Sequence, residues 1–424
     1  MLRAILATLL AAAPALGFAA ELGPAAPQSE GFAPERLLQL HKIVQEVVQS
    51  GQLPGAVTLL ARHGKVVATD TLGYQDLATH TPLSRSTIFY LFSMSKPITG
   101  VAMMILYEEG KWRPNDPLSQ YIPEFADLKV FAGLDAAGKP ILVAPVHAPT
   151  IGELMTHTAG FSYGFFGDGP VEAMYLKEQP LAAGSLHEMI QRIARLPLVY
   201  QPGTKWLYSL SVDIQGYLVE KLSGQPLGDF MQQRIFGPLH MVDTGFYVPA
   251  AKLPRLATIY SAESGPQGLV AEPRDPHADR PPGLSSGGGG LLSTADDYLR
   301  FAQMLLNGGE LDGTRILAPR TVALMRTNHL SPALQSGEFG IGYQRMRPGF
   351  GYGYDVAVYE DPLKAGSTMG AGTFLWDGAA GTWFWVDPTS DIVFVGMIQR
   401  RVGPHLPPVQ LTSQAAVYQA LIEP

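Results

Sequence analysis

Two residues three apart open the question of chemistry. Ser93 and Lys96 stand in "FSMSKP", where a strand-like run, "STIFYLF", gives way to a helix-like one, "ITGVAMMILYEEGK". Side chains at that spacing share one helix face, about 5–6 Å apart at Cβ. A serine hydroxyl becomes a nucleophile only when a base takes its proton. A lysine can be that base when it is neutral, and burial favours the neutral amine. The partial positive charge of a helix N-terminus acts in the same direction, and its free N–H groups can hold an oxyanion. This is the single Ser-x-x-Lys of the chain.

Two further stretches could complete such a site. In "PGTKWLYSLS", Tyr208 follows a Pro-Gly turn and precedes a helical pattern, where its hydroxyl could relay protons for the lysine. In "WDGAAGTWFWVDP", Gly378 reads as a glycine on an edge strand that a ligand can approach closely, with the Ala379 N–H after it as a second oxyanion donor beside that of Ser93. Each feature alone also fits a plainer role: a capping serine with a surface lysine, a packing tyrosine, an ordinary hairpin.

Taken in order, these stretches resemble the serine β-lactamase and penicillin-binding superfamily, and within it the class C β-lactamases and family VIII carboxylesterases. "SMSKPITGVAMMILYEEGKWRPNDPLSQYIPEF", "TIGELMTHTAGF", "QPGTKWLYS" and "GGGGLLSTADDYLRFAQMLLNGG" carry the resemblance over nearly all of the chain beyond its leader. It implies a nucleophile at Ser93, a base at Lys96, a tyrosine at Tyr208, and a third motif at Trp376, Asp377 and Gly378.

Two departures bear on substrate. The family's β-lactamases carry an asparagine where this chain has Leu210, and a cation where it has Trp376. β-Lactams and peptidoglycan stem peptides present a carboxylate, which Asp377 disfavours, whereas a neutral ester carries no such charge. The expected activity is therefore a carboxylesterase acting through an acyl-enzyme. A class C-like β-lactamase, a D-amino-acid peptidase and a transesterase of a specialised metabolite are the alternatives. Trp376, Asp377, Gly378, Leu210, Phe161 and Tyr163 are the candidate substrate contacts, with Trp206 beside them. Core packing remains an equal reading for Phe161, Tyr163 and Trp206.

Two decoys are set aside. Gly-Leu-Ser-Ser-Gly around Ser285 has the letters of a nucleophile elbow but neither a strand before it nor a helix after it. His157, in "THTAGF", reads as a structural histidine bonded to nearby backbone rather than as part of a triad. The ten histidines show no His-Glu-x-x-His spacing, and neither a metal nor any other cofactor is expected.

The elements that must position these groups follow from pattern. Residues 34–50 and the runs around 98–110, 150–161, 185–198, 211–224, 227–239 and 293–309 have helical spacing, caps or both. Residues 55–73 read as a hairpin turning at His63-Gly64, and the last eighty or so residues return to strands before a closing helix. The expected fold is an antiparallel sheet built from N- and C-terminal segments and flanked by helices, with a helical lobe inserted. The corresponding parts are 1–20 (leader), 21–92, 93–300 (the lobe with Ser93, Lys96 and Tyr208) and 301–424. Residues 262–292, rich in Pro, Gly, Asp and Ser, read as a surface excursion.

Bulk properties bound the partners. The chain has 424 residues, a net charge of −7 and no cysteine. Disulfides, cysteine nucleophiles and thiolate metal sites are excluded, and without a basic block nucleic acid is not an expected partner. The start, "MLRAILATLLAAAPALGFA", has a positive residue, a short apolar run and small residues ending at Ala19. It reads as a secretory leader, so a periplasmic or secreted protein with no membrane span after its removal is expected. Oligomeric state is not legible.

Overall fold

The computed structural model describes residues 22–262, 268–335, 340–341, 344–346, 348–401, 403 and 406–423. The expected leader, residues 1–20, lies outside them. Among the described residues, no helix is long and apolar enough to cross a membrane.

The chain opens with helix α1 (Pro34–Gln49), begun by Pro34 and burying Leu37, Leu40 and Val44 on one face. Strands β1 (Gly55–Arg62) and β2 (Lys65–Asp76) follow. Both residues of the turn between them, His63 and Gly64, have positive φ, at 52° and 71°. That backbone matches the right-handed twist of a two-residue hairpin. A short β3 (Thr81–Pro82) ends this part.

The other strands of this sheet come from the far end of the sequence: β4 (Phe350–Tyr352), β5 (Ala357–Tyr359), β6 (Phe374–Asp377), β7 (Trp383–Asp387) and β8 (Ile392–Met397). The sheet order is β4-β5-β6-β7-β8-β1-β2-β3, antiparallel throughout. The seam between chain ends is the β1–β8 pair, in register from Val57 opposite Met397 to Arg62 opposite Ile392. Strands β1, β7 and β8 are buried along their whole length, so the centre of the sheet is covered on both faces. Helix α1 packs on β1 and β2 and against the closing helix, Val409–Ala420. Helix Ala295–Leu306 packs on β1, β7 and β8.

Between the two halves of the sheet lies the helical part. Its core is α2 (Ser95–Glu108) against α3 (Ser211–Ser223), with shorter helices at Ile151–Met155, Pro170–Glu178, Leu186–Ile193 and Leu227–Met231. The fold is thus an antiparallel sheet from both chain ends, flanked by helices, with a helical insertion.

Two expectations need correction. Strand β6 is not a sheet edge, because the β4–β5 hairpin lies outside it. However, β5 reaches only Phe374 and Leu375, so Trp376 and Asp377 run past it without a partner on that side. The excursion at 262–292 does not stay on the surface. Its last part turns inward, and Gly287 and Gly288 are buried.

Candidate active site

Ser93 is delivered by a junction rather than by a long strand. Phe89 and Tyr90 pair with Ser293 and Leu292, and the Leu91 N–H continues the ladder to the Leu291 carbonyl at 3.0 Å. The chain then tightens into a 3-10 turn, Phe92–Met94, and runs into α2. Phe92 has φ of +47°, an uncommon conformation for a bulky side chain, and its ring lies under the Arg401 guanidinium at 4.4 Å. This kink leaves Ser93 half-buried at the seam while Met94 and the residues after it enter the core.

Lys96, one turn on, is fully buried. Its Nζ lies 3.1 Å from Ser93 Oγ, 3.1 Å from the Tyr163 hydroxyl and 2.7 Å from the Gly288 carbonyl oxygen. Burial lowers its pKa to about 8, against the opposing pull of Asp213, Asp355 and Asp377. A neutral amine has two N–H donors and one lone pair. The Gly288 carbonyl can only accept, and Tyr163 can accept while donating elsewhere, which leaves the lone pair for the Ser93 hydroxyl.

Tyr208 reaches the same oxygen from the helical side. Its hydroxyl donates to Ser93 Oγ at 2.7 Å. The extended segment carrying it is anchored by the Leu207 N–H on the His157 carbonyl at 2.8 Å. Burial pushes the phenol pKa far above its usual value, so the hydroxyl stays protonated. The Ser93–Lys96 pair and the chain-distant Tyr208 read from sequence therefore do converge.

The third stretch closes the site from the sheet. At Gly378, any Cβ would stand 2.2 Å from the Leu91 carbonyl oxygen and 2.3 Å from Thr382 Oγ1. Only glycine lets the end of β6 press on the backbone that leads into Ser93. Thr382 Oγ1 donates to the same Leu91 oxygen at 3.1 Å, and the Gly378 N–H bonds the Thr382 carbonyl at 2.8 Å. The next residue, Ala379, is exposed, and its N–H has no hydrogen-bond partner among the described residues.

One group was not found from sequence. Asp213, on the first turn of α3, is fully buried. Its carboxylate accepts from the Ser286 hydroxyl, from the Gly288 N–H at 3.1 Å and from the Tyr163 hydroxyl at 3.5 Å. It thus fixes the loop whose Gly288 carbonyl meets Lys96, and it also orients Tyr163. An acidic residue in the first turn reads as an ordinary helix-dipole partner, so nothing in the local sequence singled it out.

The remaining candidates divide. Trp376 is buried beside the site, with its ring 5.6 Å from that of Tyr208. Asp377 is half-buried, and its carboxyl is pushed up to about 6 by burial, against the Gln410 side chain and Lys96. Tyr163 belongs to the lysine's polar surroundings as much as to an apolar wall. Leu210 caps α3 as a buried core residue, and Phe161 is fully buried against Phe125 at 5.4 Å. The structure does not bring Phe161 to the reacting groups. Trp206 stacks 6.2 Å from Tyr208, behind it. His157 is buried with its ring 4.9 Å from Tyr208, and its Nδ1 accepts from the Ser209 N–H at 3.3 Å. Ser285 sits in irregular chain with no strand directly before it and no helix directly after it. A cavity of about 680 Å³ lies elsewhere, between Gln75, Tyr90, Leu256 and Arg274.

A family profile described as Beta-lactamase matches residues 40–419. The chain belongs to the Beta-lactamase family. Within that family it is 38% identical to Protein Rv1367c of Mycobacterium tuberculosis over 378 residues, 88% of this chain and 91% of that one. It is 31% identical to Esterase EstB of Burkholderia gladioli over 366 residues, 82% of this chain and 86% of that one. Among solved structures it superposes on EstCE1, a hydrolase with promiscuous acyltransferase activity, with a TM-score of 0.75 and 28% identity, over 91% of this chain and 99% of that one. Family membership makes the serine β-lactamase and penicillin-binding resemblance a finding, with esterases among the relatives.

Proposed function

We propose that the chain is a serine carboxylesterase acting on neutral esters through an acyl-enzyme on Ser93. The observation that carries this reading is a single oxygen, Ser93 Oγ, contacted at once by Lys96 Nζ at 3.1 Å and the Tyr208 hydroxyl at 2.7 Å. The neutral Lys96 amine takes the Ser93 proton as Oγ attacks the ester carbonyl. The N–H groups of Ser93 and Ala379 hold the oxyanion. As the C–O bond breaks, Tyr208 gives its proton to the departing alcohol and regains one from Lys96. Water then attacks the acyl-enzyme, its proton passes to the same pair, and Ser93 is restored. No cofactor enters any step.

The choice of ester over β-lactam rests on charge. Trp376 stands where the family's β-lactamases carry a cation, with the Asp377 carboxyl next to it, and Arg401, over Phe92, is already held bidentate by Glu272. The likeness to EstCE1 supports a second reading, in which an alcohol replaces water in the last step and the outcome is acyl transfer. Turnover of a short nitrophenyl ester against nitrocefin tests the assignment, with Ser93→Ala as control. Ester turnover with stoichiometric fluorophosphonate labelling, both lost in Ser93→Ala, supports it. Nitrocefin turnover faster by orders of magnitude would overturn the ester preference, and labelling that survives Ser93→Ala would overturn the nucleophile.

A further inference from the structure

Beyond Tyr163 the chain displays two adjacent phenylalanines to solvent, Phe165 at 58% and Phe166 at 39% exposure. Neighbouring aromatic rings left in water forgo a substantial apolar burial, and such a patch marks a contact surface. These rings do not stand apart from the chemistry. Phe166 lies 5.4 Å from the Tyr208 ring, Phe165 stacks on Tyr163 at 5.0 Å, and the two phenylalanines lie 4.6 Å from each other.

The segment presenting them is seated, not loose. The Gly164 N–H donates to Ser162 Oγ at 2.9 Å. Gly164 has φ of +89°, and a Cβ there would stand 2.8 Å from the Tyr175 Cβ. A Cβ at Gly169 would stand 2.6 Å from Glu172 Oε2. Gly164 is thus pressed on the helix Pro170–Glu178, where nothing larger than hydrogen fits, while Gly169 leads straight into that helix as its N-cap, and the aromatic pair is held out between them. A surface fixed before binding loses little entropy when a ligand arrives.

We propose that Phe165 and Phe166 form the wall that binds the alcohol portion of the substrate, selecting esters of bulky, apolar, ring-bearing alcohols. This rests on the hydrolase reading above. Direction follows from proton transfer. The departing alcohol oxygen takes its proton from the Tyr208 hydroxyl as its bond to the acyl carbon breaks, so that oxygen must lie within hydrogen-bond reach of Tyr208. The carbon attached to it then extends along the tyrosine side of the site, where Phe166 packs. The carbonyl oxygen points the other way, to the Ser93 and Ala379 N–H groups. Offset ring contacts favour aromatic over plain alkyl alcohols.

The test compares kcat/KM along two ester series in wild type and in the double variant Phe165→Ala/Phe166→Ala. One series varies the alcohol, from methyl acetate to benzyl and 2-phenylethyl acetate. The other varies the acyl chain, from ethyl acetate to ethyl octanoate. The expected result is a preference for 2-phenylethyl over methyl acetate that collapses about tenfold or more in the variant, while the profile along the acyl series keeps its shape. Phe165→Tyr/Phe166→Tyr, which keeps both rings, retains the preference. An unchanged alcohol profile in an active variant overturns the proposal, as does a collapse confined to the acyl series. A wild type inert toward every ester and unlabelled by fluorophosphonate overturns the hydrolase reading itself, and this inference with it.

Discussion

The Tyr208 hydroxyl meets the Ser93 Oγ at 2.7 Å across 115 residues of chain, while Lys96 approaches the same oxygen from one helical turn away. The relation makes serine, lysine and tyrosine one device, so their losses should not multiply. Ser93→Ala is expected to abolish ester turnover. Lys96→Ala and Tyr208→Phe should each lower kcat/KM by about 10²–10⁴. The double variant should lose far less than the product of the two. Steady-state kinetics with thermal melts as a folding control check this, and a Tyr208→Phe enzyme with wild-type kcat would remove the tyrosine from the reaction.

The pH profile follows from which form of Lys96 works. Burial brings its pKa to about 8, so the neutral base is the minor form at pH 7. Accordingly, kcat/KM should climb through about pH 8 and level off above it. Tyr208, kept protonated by burial, introduces no fall in that range. Asp377 is one of three anions that raise the lysine's pKa. Asp377→Asn removes that support and should move the climb to lower pH, with the gain confined to pH above about 6, where the native carboxylate is charged. A profile that falls through pH 8, or one that Asp377→Asn shifts toward alkaline pH, would contradict the assignment.

Gly378→Ala should separate positioning from general stability. The new Cβ meets the Leu91 carbonyl oxygen at 2.2 Å, an atom already tied to the Met94 N–H at 3.2 Å. Backbone cannot swing aside as a side-chain tip can, so either the hairpin or the Ser93 turn must move. We expect kcat to fall at least about tenfold with a smaller change in KM, because small displacements at the reacting centre cost rate. Ala379→Pro is the companion variant. It deletes one backbone N–H and should lower kcat by about 10²–10³ if that group holds the oxyanion. Near-wild-type kcat in Ala379→Pro would place the donor elsewhere.

Much of this site could be read in one dimension because the residues proposed to react stand in distinctive local settings. A lone Ser-x-x-Lys at a strand-to-helix junction and a tyrosine between a Pro-Gly turn and a helix name themselves. So does the fold: β8 is apolar throughout and β1 is apolar but for Thr58 and Arg62, and such runs had to find partners in a buried sheet. What escaped was long-range packing. Nothing local distinguishes Asp213 from any acid in a first helical turn, and its role comes from Ser286 and Gly288, over seventy residues later. The same contact explains why the 262–292 stretch misled. Its composition is that of a surface loop, yet the glycine run that ends it is needed where the backbone passes close to α3 and α2. A Cβ at Gly287 would lie 2.7 Å from the Val212 carbonyl oxygen and 3.2 Å from the Thr99 Cγ2. Phe161 and Tyr163 show the reverse error, since alternate positions of one short stretch go to core and site, and type alone does not say which.

Asp213 carries the last prediction, because it couples stability to the lysine. Its carboxylate takes three hydrogen bonds, a buried one from Gly288 and part-buried ones from Ser286 and Tyr163. Asp213→Ala strips the acceptor from all three, and stranding the buried Gly288 N–H alone costs about 1–3 kcal/mol, so a lower Tm is expected together with low activity. Asp213→Asn is the more telling change. It keeps the shape and one accepting oxygen, so the Gly288 loop should hold and the melting temperature should fall less. It also removes an anion that raises the Lys96 pKa, so its kcat/KM profile should climb at lower pH than that of the wild type. A merely structural aspartate would move Tm without moving the profile. An Asp213→Asn enzyme with an unshifted pH midpoint would therefore break the link between this carboxylate and the base.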